Sequence, residues 1–488
     1  MHDPRDGSEP LTVLPAEPPR GWPWPAWLVI VAAACVPLVV RAVRPPDAAQ
    51  AFQERVGRVV MQMQARYLVG LRELLGMPGR ALYDQAQVLN TGPVDQRVRF
   101  IVLAGELAGP DEALNQLQRL DARVEQAGLP PNQAHDRLRT VLRQLYTDYA
   151  RRRFDAPSVR PAEQEFLRRE LGWFGDLALA PASDPDAAER AAALRPARRT
   201  ATALLAAGLT GLGLGGIGLV ALVVFLVLFF TGRLQRSLDG RSPNGGIYAE
   251  TFALWMLLYL GLSWVVTRID VGDALLLVQG AVMLLSLATL AWPCLRGVPW
   301  GEVRRDIGWT AGRRPLAEPL LGVGSYAMAL PLLGVGVLIM FGIAALQGGL
   351  PGMSPPDDTL DPTDTPAHPV VVYLTRPDGW RLLQLFVLAS VVAPIVEETM
   401  FRGVLYRHLR SASARLGSGA SVLVSATLVS FIFAFIHPQG LIAIPPLMGL
   451  ALGFNLVREW RGTLIPSMVA HGLNNGLVLG FAVAAVGE

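Results

Sequence analysis

The sequence predicts an all-α protein: a polytopic transmembrane helix bundle of about nine spans, with an α-helical soluble domain inserted between the first and second spans. Hydrophobic residues make up 51% of the 488 residues. Several apolar runs reach the roughly 20 residues that a helix needs to cross a bilayer. Between the first two runs lie about 150 residues of polar composition. All 43 basic residues are arginine, and the net charge is only +3. A charge this small gives no indication of nucleic-acid binding, so we expect a lipid bilayer, and no nucleic acid, as partner.

The N-terminal region, residues 1–44, is predicted to be a tail followed by a signal anchor. Trp22 and Trp24 stand just before an apolar run at residues 26–40, and tryptophans are typical of a membrane interface. The run is short for a span, but these aromatic residues favour an anchor over a cleaved signal peptide.

Residues 45–199 are predicted to form the soluble α-helical domain. Apolar side chains recur there at helical spacing, which predicts five to seven helices. They form three stripes: Val56, Val59, Val60 and Met63; Leu114, Leu117, Leu120 and Val124; and Leu138, Val141, Leu142 and Leu145. No residue in this region suggests chemistry, so we expect a binding or scaffold role with a protein as the candidate partner.

The remaining apolar runs fall into two groups. Residues 200–350 hold four runs, at 203–230, 247–266, 271–294 and 320–346. Glycines in the first of these predict close helix packing rather than function. Residues 351–380 are predicted to form an acidic, proline-rich loop outside the membrane, and residues 381–488 hold four further runs with polar residues in or beside them.

The apolar run at residues 382–396 is followed directly by two adjacent glutamates, Glu397 and Glu398, and then by Arg402. A charge at the bilayer centre costs at least about 2.5–3.5 kcal/mol, so charges inside a span indicate function by default. Glu398 and Arg402 are four residues apart and share a helical face, which predicts an ion pair and leaves Glu397 free to act as a general base. The alternative is that the span ends at Val396 and both glutamates are ordinary interfacial charges.

Two histidines lie in later apolar runs. His437 stands four residues after Phe433, and His471 stands four residues before Asn475. A lone histidine in such a run is more often a hydrogen-bonded core residue, but two of them after a diacidic helix favour a site. The spacing of His471 and Asn475 places an imidazole and an amide on one helical face.

In this order, the motifs Glu-Glu-x-x-x-Arg, Phe-x-x-x-His and His-x-x-x-Asn resemble those of the CAAX-protease and bacteriocin-processing family of intramembrane proteases, also called the type II CAAX endopeptidase-like or abortive-infection family. The resemblance covers about residues 380–480. It implies an endopeptidase that hydrolyses a peptide bond of a membrane-associated protein or peptide, lipidated substrates included. A catalytically silent scaffold and a transporter are the alternatives. The complete motif set argues against the first, and the lack of inverted repeats of broken helices in the sequence argues against the second.

The resemblance also implies roles for the matched residues. Glu397 and His437 would activate the attacking water, while His471 and Asn475 would stabilise the oxyanion. Glu398, Arg402 and Phe433 are supporting positions. If zinc or another divalent metal takes part, its ligands would be Glu397, His437 and His471, with a fourth position open. No His-Glu-x-x-His helix is present, so we favour a metal-free reaction.

Hydropathy alone places these residues at different depths of the bundle. If they form one site, the helix of Glu397 must continue past Arg402, and the next helix must break at Pro438. Broken helices are tolerated in a membrane where they line a protein cavity.

The distribution of arginine predicts the orientation of the protein in the inner membrane. The segments around Arg233, Arg304 and Arg410 alternate as cytoplasmic loops should, whereas the acidic residues 351–369 fall on the opposite face. We therefore expect residues 45–199 outside the cytoplasm. Reporter fusions near residues 120 and 305 should report opposite sides of the membrane, and a cytoplasmic signal from both would show that the first two spans are misassigned.

Overall fold

The computed structural model describes residues 20–43, 46–154, 157–181, 188–234, 236–238, 240–346, 360 and 378–486. Helices and loops make up this described part, and it contains no β-strand. Two predicted segments lie mostly outside the described residues: the N-terminal tail at residues 1–19, and the acidic loop at residues 351–359 and 361–377.

The helical segments are, in chain order, α1 Pro23–Val43, α2 Pro46–Leu75, α3 Gly79–Ala86, α4 Val94–Ala108, α5 Pro110–Gln126, α6 Gln133–Ala150, α7 Pro161–Leu171, α8 Trp173–Leu179, α9 Ala188–Phe230, α10 Gly245–Val266, α11 Gly272–Leu295, α12 Trp300–Ile307, α13 Glu318–Leu346, α14 Gly379–Ala412, α15 Ser418–Phe435, α16 Leu441–Arg461 and α17 Ile465–Val486. Within the described ranges, nine of these segments are long and apolar enough to cross a membrane, namely α1, α9, α10, α11 and α13 to α17. The predicted class of a polytopic helix bundle is therefore confirmed.

Helices α2 to α8 share one apolar core with the start of α9. Phe100 and Leu142 are fully buried in it, and so are Phe174 of α8 and Ala197 of α9. The amphipathic helices of this region bury their apolar stripes against one another, as such helices do in water-exposed domains. That this region is an inserted soluble domain stays a prediction. Its predicted boundary at residue 199 falls inside α9, which runs unbroken into the second span.

Hydrogen bonds show which segments of the chain lie together at each end of the bundle. At one end, Arg20 before α1 donates a hydrogen bond of 2.8 Å to the carbonyl of Arg296 after α11. There too, Ser411 of α14 donates to the carbonyl of Ser242 before α10, at 2.7 Å. At the other end, Thr200 of α9 donates to a carbonyl in the last turn of α17, at 2.6 Å. The segments predicted to face the cytoplasm thus lie together, and helices α2 to α8 follow α1 at the opposite end.

Glycines allow α13 and α16 to pack backbone to backbone. Gly336 of α13 faces the carbonyl of Pro445 so closely that a Cβ atom would overlap it, and Gly449 of α16 faces the carbonyl of Leu332 in the same way. Small residues at helix interfaces are what permits such an approach. This contact fixes α16 closely against α13.

We predict that Gly336→Ala lowers the melting temperature of the purified protein, because an added methyl group forces the two helices apart. Overpacking of this kind typically costs about 1–3 kcal/mol. Gly334→Ala is the matched control, since the same helix has open space at that position. Thermal unfolding in detergent measures both variants, and equal melting of the two would contradict the packing described here.

Candidate active site

Both glutamates lie on α14, which continues past Arg402 to Ala412. This helix is not a regular α-helix, because it contains wider π-type turns at Leu388–Val392 and Glu398–Leu405. Turns of this type are rare and often mark functional sites. The next helix, α15, ends at Phe435, so His437 lies in the loop that follows. The predicted continuation is therefore present, and the next helix ends three residues before the break predicted at Pro438.

The structure brings three of the four predicted catalytic side chains together. Oε2 of Glu397 lies 3.9 Å from Nε2 of His437 and 3.8 Å from Nε2 of His471. These separations are too wide for hydrogen bonds, and the buried Oε2 atom has no hydrogen-bond partner among the described residues. Polar groups at this spacing are commonly bridged by a water molecule.

Hydrogen bonds at the other ring nitrogen assign a tautomer to each histidine. Nδ1 of His471 donates to Oε1 of Glu398 at 2.9 Å. Nδ1 of His437 donates to the backbone carbonyl of Phe433. In its neutral form, each imidazole therefore presents an unprotonated Nε2 towards Glu397, and each can accept a proton there.

His437 stands in the loop after α15, at the edge of the site. Burial lowers the pKa of its imidazole below the ordinary histidine value, because removal of water disfavours the charged form. We therefore expect this histidine to be neutral at neutral pH, which suits a proton acceptor.

The predicted ion pair between Glu398 and Arg402 is present. Oε1 of Glu398 lies 3.1 Å from Nη1 of Arg402, and both side chains are fully buried. The same oxygen atom also accepts the hydrogen bond from His471. The sequence analysis gave Glu398 a supporting role through Arg402 alone and missed this second contact, because the spacing within one helix carries no signal of a partner on another.

Two phenylalanines enclose the charged residues. The guanidinium carbon of Arg402 lies 4.3 Å from the ring centre of Phe433 and 5.6 Å from that of Phe454. The ring of Phe454 also stacks on His471, with centroids 5.9 Å apart. Such contacts stabilise a desolvated cation. Phe454 was not predicted, because it lies in an apolar run of α16 that carries no motif.

Asn475 is held by α14 rather than by the other predicted catalytic residues. Its Nδ2 donates to the carbonyl of Ala389 at 2.8 Å, and its Oδ1 accepts from Asn474 at 3.1 Å. A primary amide has two hydrogens to donate, so one of them remains for a substrate. The role of Asn475 as an oxyanion donor stays a prediction.

Three atoms, Oε2 of Glu397 and Nε2 of each histidine, also permit a test of the metal-binding alternative. Ligand atoms around a tetrahedral zinc ion, with bonds of about 2.0–2.1 Å, lie about 3.3–3.4 Å apart. The distances from Glu397 to the two histidines, 3.8 and 3.9 Å, are wider. Across the described ranges, no group of three or more His, Cys, Asp and Glu side chains is arranged to hold a metal ion. In this arrangement the three atoms lie too far apart for a tetrahedral zinc site, and the metal-free reaction stays a prediction.

Comparison with known proteins points to the same segment. Residues 379–477 match the family model described as type II CAAX prenyl endopeptidase Rce1-like. This segment is CAAX-protease-like. The membrane-embedded CAAX protease MroQ of Staphylococcus aureus (strain USA300) is 29% identical over 102 residues, which are 21% of this chain and 40% of that protein. The chain therefore aligns with well under two thirds of the length of this CAAX protease. No solved structure matches this chain.

The CAAX-protease-like segment contains all the residues that carried the resemblance. The first motif begins at Glu397 and the last ends at Asn475, inside the matched range. Together with the nine apolar helices in the part of the chain that the structure describes, this match supports a multi-pass membrane protein.

We predict that Arg402→Ala lowers the melting temperature as well as activity. Removal of one partner of a buried ion pair typically costs about 3–5 kcal/mol, because the other charge is left uncompensated. The double variant Glu398→Gln with Arg402→Met removes both charges and should melt above Arg402→Ala. Its activity should stay low, because a neutral amide holds His471 less well than a carboxylate does.

Melting temperatures in detergent decide this prediction, with Glu397→Gln as the variant expected to lose activity only. If Arg402→Ala melts with the wild type, the ion pair does not stabilise the fold.

Proposed function

We propose that this protein is an intramembrane endopeptidase that hydrolyses a peptide bond of a membrane-associated protein or peptide, with lipidated substrates among the candidates. The observation that carries the proposal is the convergence of Glu397, His437 and His471, which come from three separate segments of the chain. The similarity of residues 379–477 to a CAAX prenyl endopeptidase family supports it. A scaffold needs no such convergence of proton acceptors.

The proposed reaction starts from a water molecule between Glu397 and His437. As the water oxygen attacks the carbonyl carbon of the scissile bond, Glu397 accepts a proton as general base, and Nε2 of His437 orients the second hydrogen. A carbon–oxygen bond forms, and the carbonyl electrons move to the oxygen to give a tetrahedral oxyanion. When the carbon–nitrogen bond breaks, the proton on Glu397 passes to the leaving amine. The products are a carboxylic acid and an amine.

His471 and Asn475 are proposed to stabilise the oxyanion. The remaining amide hydrogen of Asn475 is one donor. A protonated His471 is the second, because its Nε2 then carries a hydrogen while Glu398 holds Nδ1 and balances the positive charge. Donors aimed at a developing negative charge in a water-poor site are usually the largest single contribution to rate.

We also infer where the protein lies in the cell. The inner membrane is the proposed location, with residues 45–199 outside the cytoplasm and open to a protein partner. In support, helices α2 to α8 share one apolar core with the start of α9 and lie at the bundle end opposite the segments around Arg233, Arg304 and Arg410.

We predict that Glu397→Gln and His437→Ala abolish cleavage while both variants remain folded, because each loses water activation. Asn475→Ala should keep residual activity, since loss of one oxyanion donor typically costs roughly 10²–10³ in rate. The assay uses purified protein in detergent and three probes. These are a quenched fluorescent peptide with a farnesylated C-terminal Cys-aliphatic-aliphatic-X sequence, the same peptide without the lipid, and a proteome-derived peptide library read by mass spectrometry.

Each outcome of this assay bears on one alternative. Full activity of Glu397→Gln would contradict the mechanism, and no wild-type cleavage of any probe would favour the scaffold. Activity that disappears on exhaustive chelation and returns with zinc would favour the metal-dependent reaction, whereas activity that survives chelation would exclude it.

A further inference from the structure

Three polar side chains inside two apolar helices have no part in the mechanism above. Tyr259 and Ser263 lie on α10, and Gln279 lies on α11. The amide of Gln279 donates to the hydroxyl oxygens of Tyr259, at 3.3 Å, and Ser263, at 3.4 Å. Polar side chains inside membrane helices are costly and mark functional positions by default.

The packing of α10 determines which part of α14 these residues face. The two helices run antiparallel, since the carbonyl of the first residue of α10 accepts a hydrogen bond of 2.8 Å from His408, near the end of α14. Further along α10, the ring of Trp255 packs edge-on against Phe401, with centroids 5.7 Å apart. One turn beyond this contact in each helix come Tyr259 and Glu397. The antiparallel register therefore places Tyr259 level with the proposed general base.

Two further contacts define the position of the Tyr259 phenol. Its ring lies nearly parallel to that of Trp255, with centroids 5.9 Å apart and planes inclined by 11°. Glu397 also contributes to the electrostatic environment of its hydroxyl. Stacking thus fixes the ring, and its four-residue spacing from Trp255 places it on the face of α10 that packs against α14.

The chemistry of the site leaves room for a donor at this place. Glu397 and the neutral His437 present acceptor atoms, and the two donors proposed above, His471 and Asn475, both belong to α17. One amide hydrogen of Asn475 is already engaged by Ala389. The phenol oxygen interacts with Gln279 and Ser263, both of which can donate to it, so its own hydrogen is available for another partner. Tyrosine is one of the side chains that serve as oxyanion donors in acyl-transfer sites.

We propose that Tyr259 is a further catalytic residue, whose phenol hydrogen is donated to the oxyanion of the tetrahedral intermediate, and that Gln279 is the residue that positions it. This inference rests on the proposed endopeptidase function and adds a donor from α10 to the donors of α17. It also explains why α10 and α11 carry polar side chains level with Glu397.

The test is Tyr259→Phe, which removes the hydroxyl and keeps the ring stacked on Trp255. With the probe peptide that the wild-type protein cleaves, kcat should fall about 10²-fold, and KM should stay within about twofold of the wild-type value. The reason is that the hydrogen bond from Tyr259 to the oxyanion forms only in the transition state. The melting temperature should stay unchanged. Tyr146→Phe is the matched control, since this buried tyrosine of α6 packs in the apolar core of helices α2 to α8, away from the site, and should keep wild-type kinetics.

The outcomes separate this inference from the function on which it rests. One outcome is that the wild type and Tyr259→Phe cleave the probe equally well while Glu397→Gln does not. This result would overturn the role of Tyr259 but would still support the endopeptidase function. A rise in KM alone, or a loss of activity matched by a loss of melting temperature, would overturn that role too. No cleavage by the wild type would overturn both.

Gln279→Met provides a second test that leaves Tyr259 in place. We expect kcat to fall about tenfold with KM and melting temperature unchanged, because the phenol loses its fixed orientation but not its hydrogen. An unchanged kcat in this variant would overturn the positioning role.

Discussion

One buried carboxylate connects the charges of the candidate site. Oε1 of Glu398 contacts both Nη1 of Arg402 and Nδ1 of His471, and all three side chains are buried. An unpaired charge in such a place would be strongly destabilising. Because Glu398 is shared, the ion pair within α14 also sets the tautomer of a histidine on α17. The orientation of Nε2 towards Glu397 depends on this interaction.

The helix backbones come close enough to allow these contacts. Gly472, next to His471, faces the carbonyl of Ser390 in α14 with no room for a Cβ atom. The carbonyl of Ala389, one residue earlier, holds the amide of Asn475. Both carbonyl groups belong to the first π-type turn of α14. Irregular backbone in α14 and small residues in α17 thus act together to seat one helix on the other.

A second group of buried charges secures the same helices at the arginine-rich end of the bundle. Arg410 of α14 makes two hydrogen bonds of 3.0 Å to the carboxylate of Glu459 on α16. Arg461 of α16 pairs in the same way with Glu318 of α13, at 3.0 and 2.6 Å. Paired geometry of this kind is strong and directional. Arg410 and Arg461, whose charges suggest loops, therefore contribute to helix packing.

What the sequence determined by itself was local. Run length and hydropathy were enough to predict the class and about nine spans, and nine helices of the described ranges are long and apolar enough to cross a membrane. The reason is that the cost of crossing a bilayer depends on composition over about 20 residues. The ion pair of Glu398 and Arg402 followed from spacing within one helix. The motif order indicated which polar residues to place in one site, and the match over residues 379–477 agrees with it.

Only the tertiary structure decided how those residues meet. The bond between Glu398 and His471 joins positions 73 residues apart. The contact of Phe454 with His471 and the register that brings Tyr259 level with Glu397 likewise depend on which helix faces pack together. The π-type turns of α14 changed the spacing that a regular helix would have. Contacts between helices reflect packing of whole faces, and no pattern within a single run of residues specifies them.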